Sequence, residues 1–193
     1  MVSDAEELLA GDDPAALAVE NARRKAQAVA RGNAVLPYTA HTRAGQDGAE
    51  PERAESTSAA PVPASSKPVV GVDTVVVLDG VVYGKPEDAA DARATLERLA
   101  GRTHEVISGL AVVEDGEVRT ASATTRVTFR ELSQATLDWY LATEEWRERA
   151  GGYAIQGRGA ALVAGIEGDY LNVVGLPVTA LLELLPGILH AAS

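Results

Sequence analysis

Val69-Val70-Gly71-Val72-Asp73-Thr74-Val75-Val76-Val77-Leu78 is the stretch on which the fold class turns. Valine and threonine dominate it, and such β-branched side chains fit a pleated strand better than a helix. Asp79-Gly80 follows, a tight-hairpin signal, and Val81-Val82-Tyr83 resumes the strand pattern, so the segment predicts a β-hairpin. Downstream, Asp88 to Ala100 reads as a helix closed by Gly101. Glu105 to Val113, Asp115-Gly116 and Val118 to Phe129 then read as a longer second hairpin. Ser133 caps a helix running to Ala142, a glycine-rich passage from Gly151 to Gly159 precedes an apolar strand from Ala160 to Ile166, and a last helix covers Pro177 to Leu185. Upstream, Asp13-Pro14 opens a helix over Ala15 to Arg31, with an acidic N-cap and proline at the first helical position. Helices and hairpins in this mixed order predict an α/β or α+β sheet protein.

The length of 193 residues suits one domain with a single core, and 46% hydrophobic against 23% charged residues is a globular balance. From Arg31 to Pro68 the composition shifts to Gly, Ala, Ser, Thr, Glu and Pro, with Val35, Leu36, Tyr38 and Val62 as its large apolar side chains. Such a stretch buries too little surface to offset the entropy of ordering it, and residues 31–68 are expected to be a disordered insertion. No apolar run reaches the ~20 residues of a membrane span, and Met1 to Glu7 carries no signal-peptide pattern, so the expected compartment is the cytoplasm. The absence of cysteine excludes disulfides, thiolate metal sites and cysteine nucleophiles, and His41, His104 and His190 are too scattered for a histidine metal motif. Any metal must therefore sit on oxygen. A net charge of -11 disfavours nucleic acid as a partner but leaves a small polyanion open, since a divalent cation and local lysines can neutralise it.

Three groups of residues could carry chemistry. Asp73 interrupts an apolar strand, where a carboxylate is costly unless it is paired, hydrogen-bonded or bound to metal. The plain alternative is a carboxylate accepting backbone N–H bonds at a bend beside Gly71. Among the few lysines, Lys85 in Gly84-Lys85-Pro86 stands on a loop of defined shape and suits a phosphate; a simple hairpin-to-helix connection would explain it equally well. Gly151-Gly152-Tyr153-Ala154-Ile155-Gln156-Gly157-Arg158-Gly159 places an amide able to read a base edge and a guanidinium able to meet a phosphate on a glycine-bordered strip. The run from Gly165 to Pro177 adds acids and Asn172 beside a turn, equally readable as a packed loop that fixes the last helix.

Val72-Asp73-Thr74-Val75-Val76, Gly84-Lys85-Pro86, Leu99-Ala100-Gly101-Arg102-Thr103-His104, Gly151 to Gly157 and Asn172-Val173-Val174-Gly175-Leu176-Pro177, in that order, closely resemble the Maf family of nucleoside triphosphate pyrophosphatases. The resemblance implies an α/β fold with a curved mixed sheet, flanking helices and a central cleft. It also implies that a strand, a Ser-Pro-Arg-Arg phosphate loop and a helix belong before Met1, and the expectation is a start codon further upstream. Carried over, Asp73 would be the proton acceptor that activates water. Glu6 and Asp73 would hold a divalent cation, Mg2+ or Mn2+, and Lys25 and Lys85 would neutralise phosphate. Thr74 and Gln156 would choose the base, Arg158 would add a phosphate contact, and Thr74 with the Tyr-Ala-Ile-Gln-Gly strip resembles the branch preferring dTTP and UTP. The implied partner is the nucleoside triphosphate, with a homodimer as the candidate assembly and neither nucleic acid nor membrane. The missing phosphate loop keeps a second reading open, a catalytically impaired nucleotide-binding or division-linked regulatory protein.

Overall fold

The computed structural model describes residues 13–32 and 67–189. Glu6 and residues 33–66 of the expected insertion lie outside the described residues. Five strands, β1 (Val69–Leu78), β2 (Val81–Tyr83), β3 (Thr103–Glu114), β4 (Glu117–Phe129) and β5 (Val163–Glu167), form one sheet in the order β2-β1-β3-β4-β5. Every pairing among the described residues is antiparallel. The helices are α1 (Pro14–Ala30), α2 (Ala89–Leu99), α3 (Gln134–Leu141), α4 (Tyr170–Val174) and α5 (Val178–Leu184). The architecture is α/β, as the sequence implies.

Local chemistry sets the boundaries. Asp13 accepts the Ala15 N–H at 2.9 Å and Pro14 opens α1, while Asp88 caps α2 and Ser133 caps α3 in the same way. Both hairpin turns, Asp79-Gly80 and Asp115-Gly116, place two successive residues at positive φ, the geometry that matches the twist of the flanking strands. One boundary differs from expectation: Arg158–Leu162 forms a 3-10 turn, and β5 starts only at Val163. The Glu145 carboxylate accepts the N–H groups of Arg158 at 2.7 Å and Gly159 at 3.3 Å, which draws this backbone into a turn rather than a ladder.

β1 is covered on both faces. Val75 and Val77 pack with Ala18 of α1, while Val76 and Leu78 join the main core with Leu96, Leu99, Phe129 and Tyr140. On the α1 side the contact is small against small. Ala18, Ala22 and Ala26 recur every fourth residue along one fully buried row of α1, and Gly71 and Gly109 lie beneath it. A Cβ on Gly71 would come within 2.3 Å of Ala22 O, and one on Gly109 within 2.2 Å of Ala18 C. The helix therefore rides almost on the sheet backbone. Asp73 lies opposite Gly109 in the β1–β3 register, so the polar residues of this helix face are carried directly over the carboxylate.

β2 pairs only with Val76, Val77 and Leu78 of β1. The preceding part of β1 therefore has β3 on one side and, among the described residues, no strand on the other. Side chains from both faces of this part of the strand line one opening.

Candidate active site

That opening is a cleft of about 260 Å³. Its wall includes Asp73 and Thr74 from β1, Lys25 from α1, Lys85 from the β2–α2 loop, and Gln156. Elements far apart in the chain thus bring five of the residues singled out in the sequence to one opening.

Asp73 is 8% exposed. Lys25 Nζ donates to its Oδ1, and Asn21 Nδ2 donates to its Oδ2 at 3.1 Å. Asn21 and Lys25 are four residues apart, one turn of α1, and so reach the same carboxylate from one helix face. Lys85 stands at the more open end, 3.2 Å from Glu148, with the two side chains 50% and 83% exposed. A pair this exposed contributes little to stability and is readily exchanged for another anion.

The 84–86 loop is seated on the glycine strip. Gly151 N–H donates to Gly84 O at 2.9 Å, and Gly151 has a φ of 67° with a would-be Cβ 2.8 Å from Val76 Cγ2, so both conformation and space call for glycine. The strip is packed rather than open: Gly151 to Ile155 are buried, and Gln156 is its exposed member at the cleft. Tyr153 forms part of the cleft wall and meets His104 and Phe129 edge to face, with His104 Nε2 and the Tyr153 hydroxyl 2.9 Å apart. Burial pushes His104 down to about 4 and the Tyr153 hydroxyl well above its ordinary range, so both are neutral at physiological pH.

Residues 1–188 match the family described as Maf-like protein. The chain belongs to this Maf-like family. Among its relatives are proteins named dTTP/UTP pyrophosphatase from Pyrococcus furiosus, 47% identical over 117 residues, and Moorella thermoacetica, 53% identical over 119 residues. A third with that name, from Symbiobacterium thermophilum, is 50% identical over 117 residues. Each alignment covers 61% of this chain and 60 to 62% of the relative, so the match spans less than two thirds of their length.

In this Maf-like chain the guanidinium at the cleft is Arg149, not Arg158. Arg158 is exposed and does not line the opening, its backbone N–H donating to the Glu145 carboxylate, whereas Arg149 lies on the wall beside Glu148. In the sequence Arg149 ends the run Glu144-Glu145-Trp146-Arg147-Glu148-Arg149, where nothing local sets it apart. Asn21, four residues before Lys25 on α1, is a further partner of Asp73 whose only sequence signal is that one-turn spacing. Glu6 lies outside the described residues. Asn172 is fully buried and pins the α4 turn to the sheet, its amide nitrogen reaching Val106 O at 3.0 Å, Ala123 O at 3.3 Å and Thr125 Oγ1 at 3.0 Å. The packed-loop reading of that segment therefore describes Asn172.

The cleft joins a nearly buried carboxylate, the exposed Glu148 carboxylate, three cationic side chains and a polar amide. Such a set can hold an anionic group beside a carboxylate placed to take a proton. Among the described residues no three carboxylate or histidine side chains converge as a metal cluster. A divalent ion here would depend on Asp73, whose carboxylate retains acceptor capacity beyond its two bonds. This suits Mg2+, which commonly takes one or two carboxylates and completes its shell with water and substrate phosphate.

Proposed function

We propose that this Maf-like protein hydrolyses dTTP and UTP to the nucleoside monophosphate and pyrophosphate. The observation that carries the reading is the convergence of Asp73, Thr74, Lys25, Lys85 and Gln156 on one cleft, in a family whose relatives bear that activity in their names. Asp73 is the proton acceptor for the water that attacks the α-phosphorus, held in place by Lys25 and Asn21. Lys85 and Arg149 neutralise phosphate, with Lys85 exchanging Glu148 for substrate. Thr74 and Gln156 meet the base. A divalent cation, Mg2+ or Mn2+, would be held by Asp73 with Glu6 and would supply charge neutralisation on the phosphates when bound. Phosphoryl transfer needs positioning and electrostatic stabilisation above all, and these side chains provide both.

The deciding experiment incubates purified protein with dTTP, UTP, CTP and ATP in Mg2+ or Mn2+ and assays pyrophosphate. Pyrophosphate is expected from dTTP and UTP and is lost in chelator. Release of orthophosphate alone, or undiminished turnover in chelator, refutes the reaction.

A further inference from the structure

Thr74 Oγ1 lies 2.8 Å from Ser108 Oγ, its partner across the β1–β3 pair, and either hydroxyl could donate. Ser108 is fully buried, so its hydrogen has two acceptors within reach: Thr74 Oγ1, or the main-chain oxygen of Asn172 at 3.4 Å. Were Ser108 to donate to Thr74, its own oxygen would accept nothing and the contact to Asn172 would be lost. With Ser108 donating to Asn172, Thr74 donates to Ser108 and both bonds form together, the arrangement that buried hydroxyls favour. The end of this relay is fixed, because the Asn172 side chain is anchored to both β3 and β4. Its main-chain oxygen also receives the Gly175 N–H at 3.0 Å.

A threonine has one hydroxyl hydrogen. Spent on Ser108, it leaves only lone pairs on the side of Thr74 that lines the cleft. Gln156 cannot make the same distinction, since an amide presents either its carbonyl or its NH2 by turning over. Resting on the reading that Thr74 meets the base, we propose that Ser108 is a specificity-determining positioning residue. By holding Thr74 as an acceptor facing the ring nitrogen, it makes the cleft favour uracil and thymine, whose ring nitrogen carries hydrogen, over cytosine, whose corresponding nitrogen bears a lone pair and which could meet Thr74 only through its amino group in a shifted pose.

The test compares UTP with CTP in wild type, Ser108→Ala and Thr74→Val. Affinities are measured by calorimetry in chelator, and kcat/KM separately with metal. Wild type should favour UTP by ~10- to 100-fold, the range for one satisfied against one unsatisfied polar contact. In Ser108→Ala the Thr74 hydroxyl is free to turn outward and donate, so the preference should collapse toward unity while the melting temperature changes little. Thr74→Val removes donor and acceptor together and should collapse it as well, which keeps the test decisive if Ser108→Ala folds poorly. A wild-type preference retained in either folded variant, or no preference in wild type, overturns the relay. Binding with the expected ratios but without turnover would refute the proposed hydrolysis and leave the relay standing.

Discussion

Alanine at Gly109 tests whether the close seat of α1 on the sheet is what assembles the site. The new Cβ would lie 2.2 Å from Ala18 C and Val19 N and 2.3 Å from Ala18 O, all backbone atoms that no rotamer change can clear. To restore ordinary carbon contact at ~3.5 Å, α1 must lift by about 1 Å or more. Overpacking of this kind costs about 1–3 kcal/mol. At roughly 2–4 °C per kcal/mol for a chain of this size, the melting temperature should fall by roughly 2–12 °C. Asn21 and Lys25 move with the helix, so the 3.1 Å bond from Asn21 to Asp73 stretches out of range. A 1 Å misplacement of catalytic geometry can cost ~10²-fold, and turnover of dTTP should fall on that scale. Scanning calorimetry and a pyrophosphate assay read the two effects. Gly165→Ala on β5 is the control, because a Cβ there meets nothing within 4 Å. If Gly109→Ala melts and turns over like Gly165→Ala, the small-residue contact does not set the site, and the account of how α1 reaches Asp73 is wrong.

Two further outcomes follow from the same geometry. Asp73→Asn keeps the volume and, after Asn21 turns its amide, the hydrogen bonds, but it cannot take a proton; turnover should drop ~10²- to 10⁴-fold with the fold retained, and near-normal rates would remove Asp73 from the mechanism. His104 titrates at about 4 when folded against 6.5 as a free side chain, so the unfolded chain binds the extra proton between those values. Stability should therefore fall as pH is lowered from 6.5 to 4, by up to about 3 kcal/mol. The Glu20 carboxyl, held at about 2 by hydrogen bonds from Arg23 and Arg24, adds its own loss only below 4.5, so most of the His104 window lies above it. Melting curves against pH should show the upper slope in wild type and lose it in His104→Gln; an unchanged slope in that variant would assign the effect elsewhere.

What the sequence made legible was whatever is written locally. β-branched density marks β1, paired Asp-Gly turns mark both hairpins, and Asp13-Pro14 marks the start of α1, because each depends on neighbours within a few residues. Asp73 stood out by the same logic, as a charge on an apolar strand. Asn21 did not, since its role comes from a contact between rows of small residues on α1, β1 and β3 that no local pattern connects. The choice between Arg149 and Arg158 was hidden for a related reason. Both flank the same glycine strip, and it is the tertiary structure, in which Glu145 holds the 158–159 backbone and Arg149 lines the cleft, that separates them. Residue type announced a guanidinium near the strip; its direction belongs to the packing. The same holds for Thr74, whose hydroxyl can donate or accept in isolation and acquires a polarity only through buried Ser108 and the fixed oxygen of Asn172. Both of those lie far from it in sequence, so under the proposed relay the discrimination between pyrimidines would rest on the register between β1 and β3 and on the α4 turn.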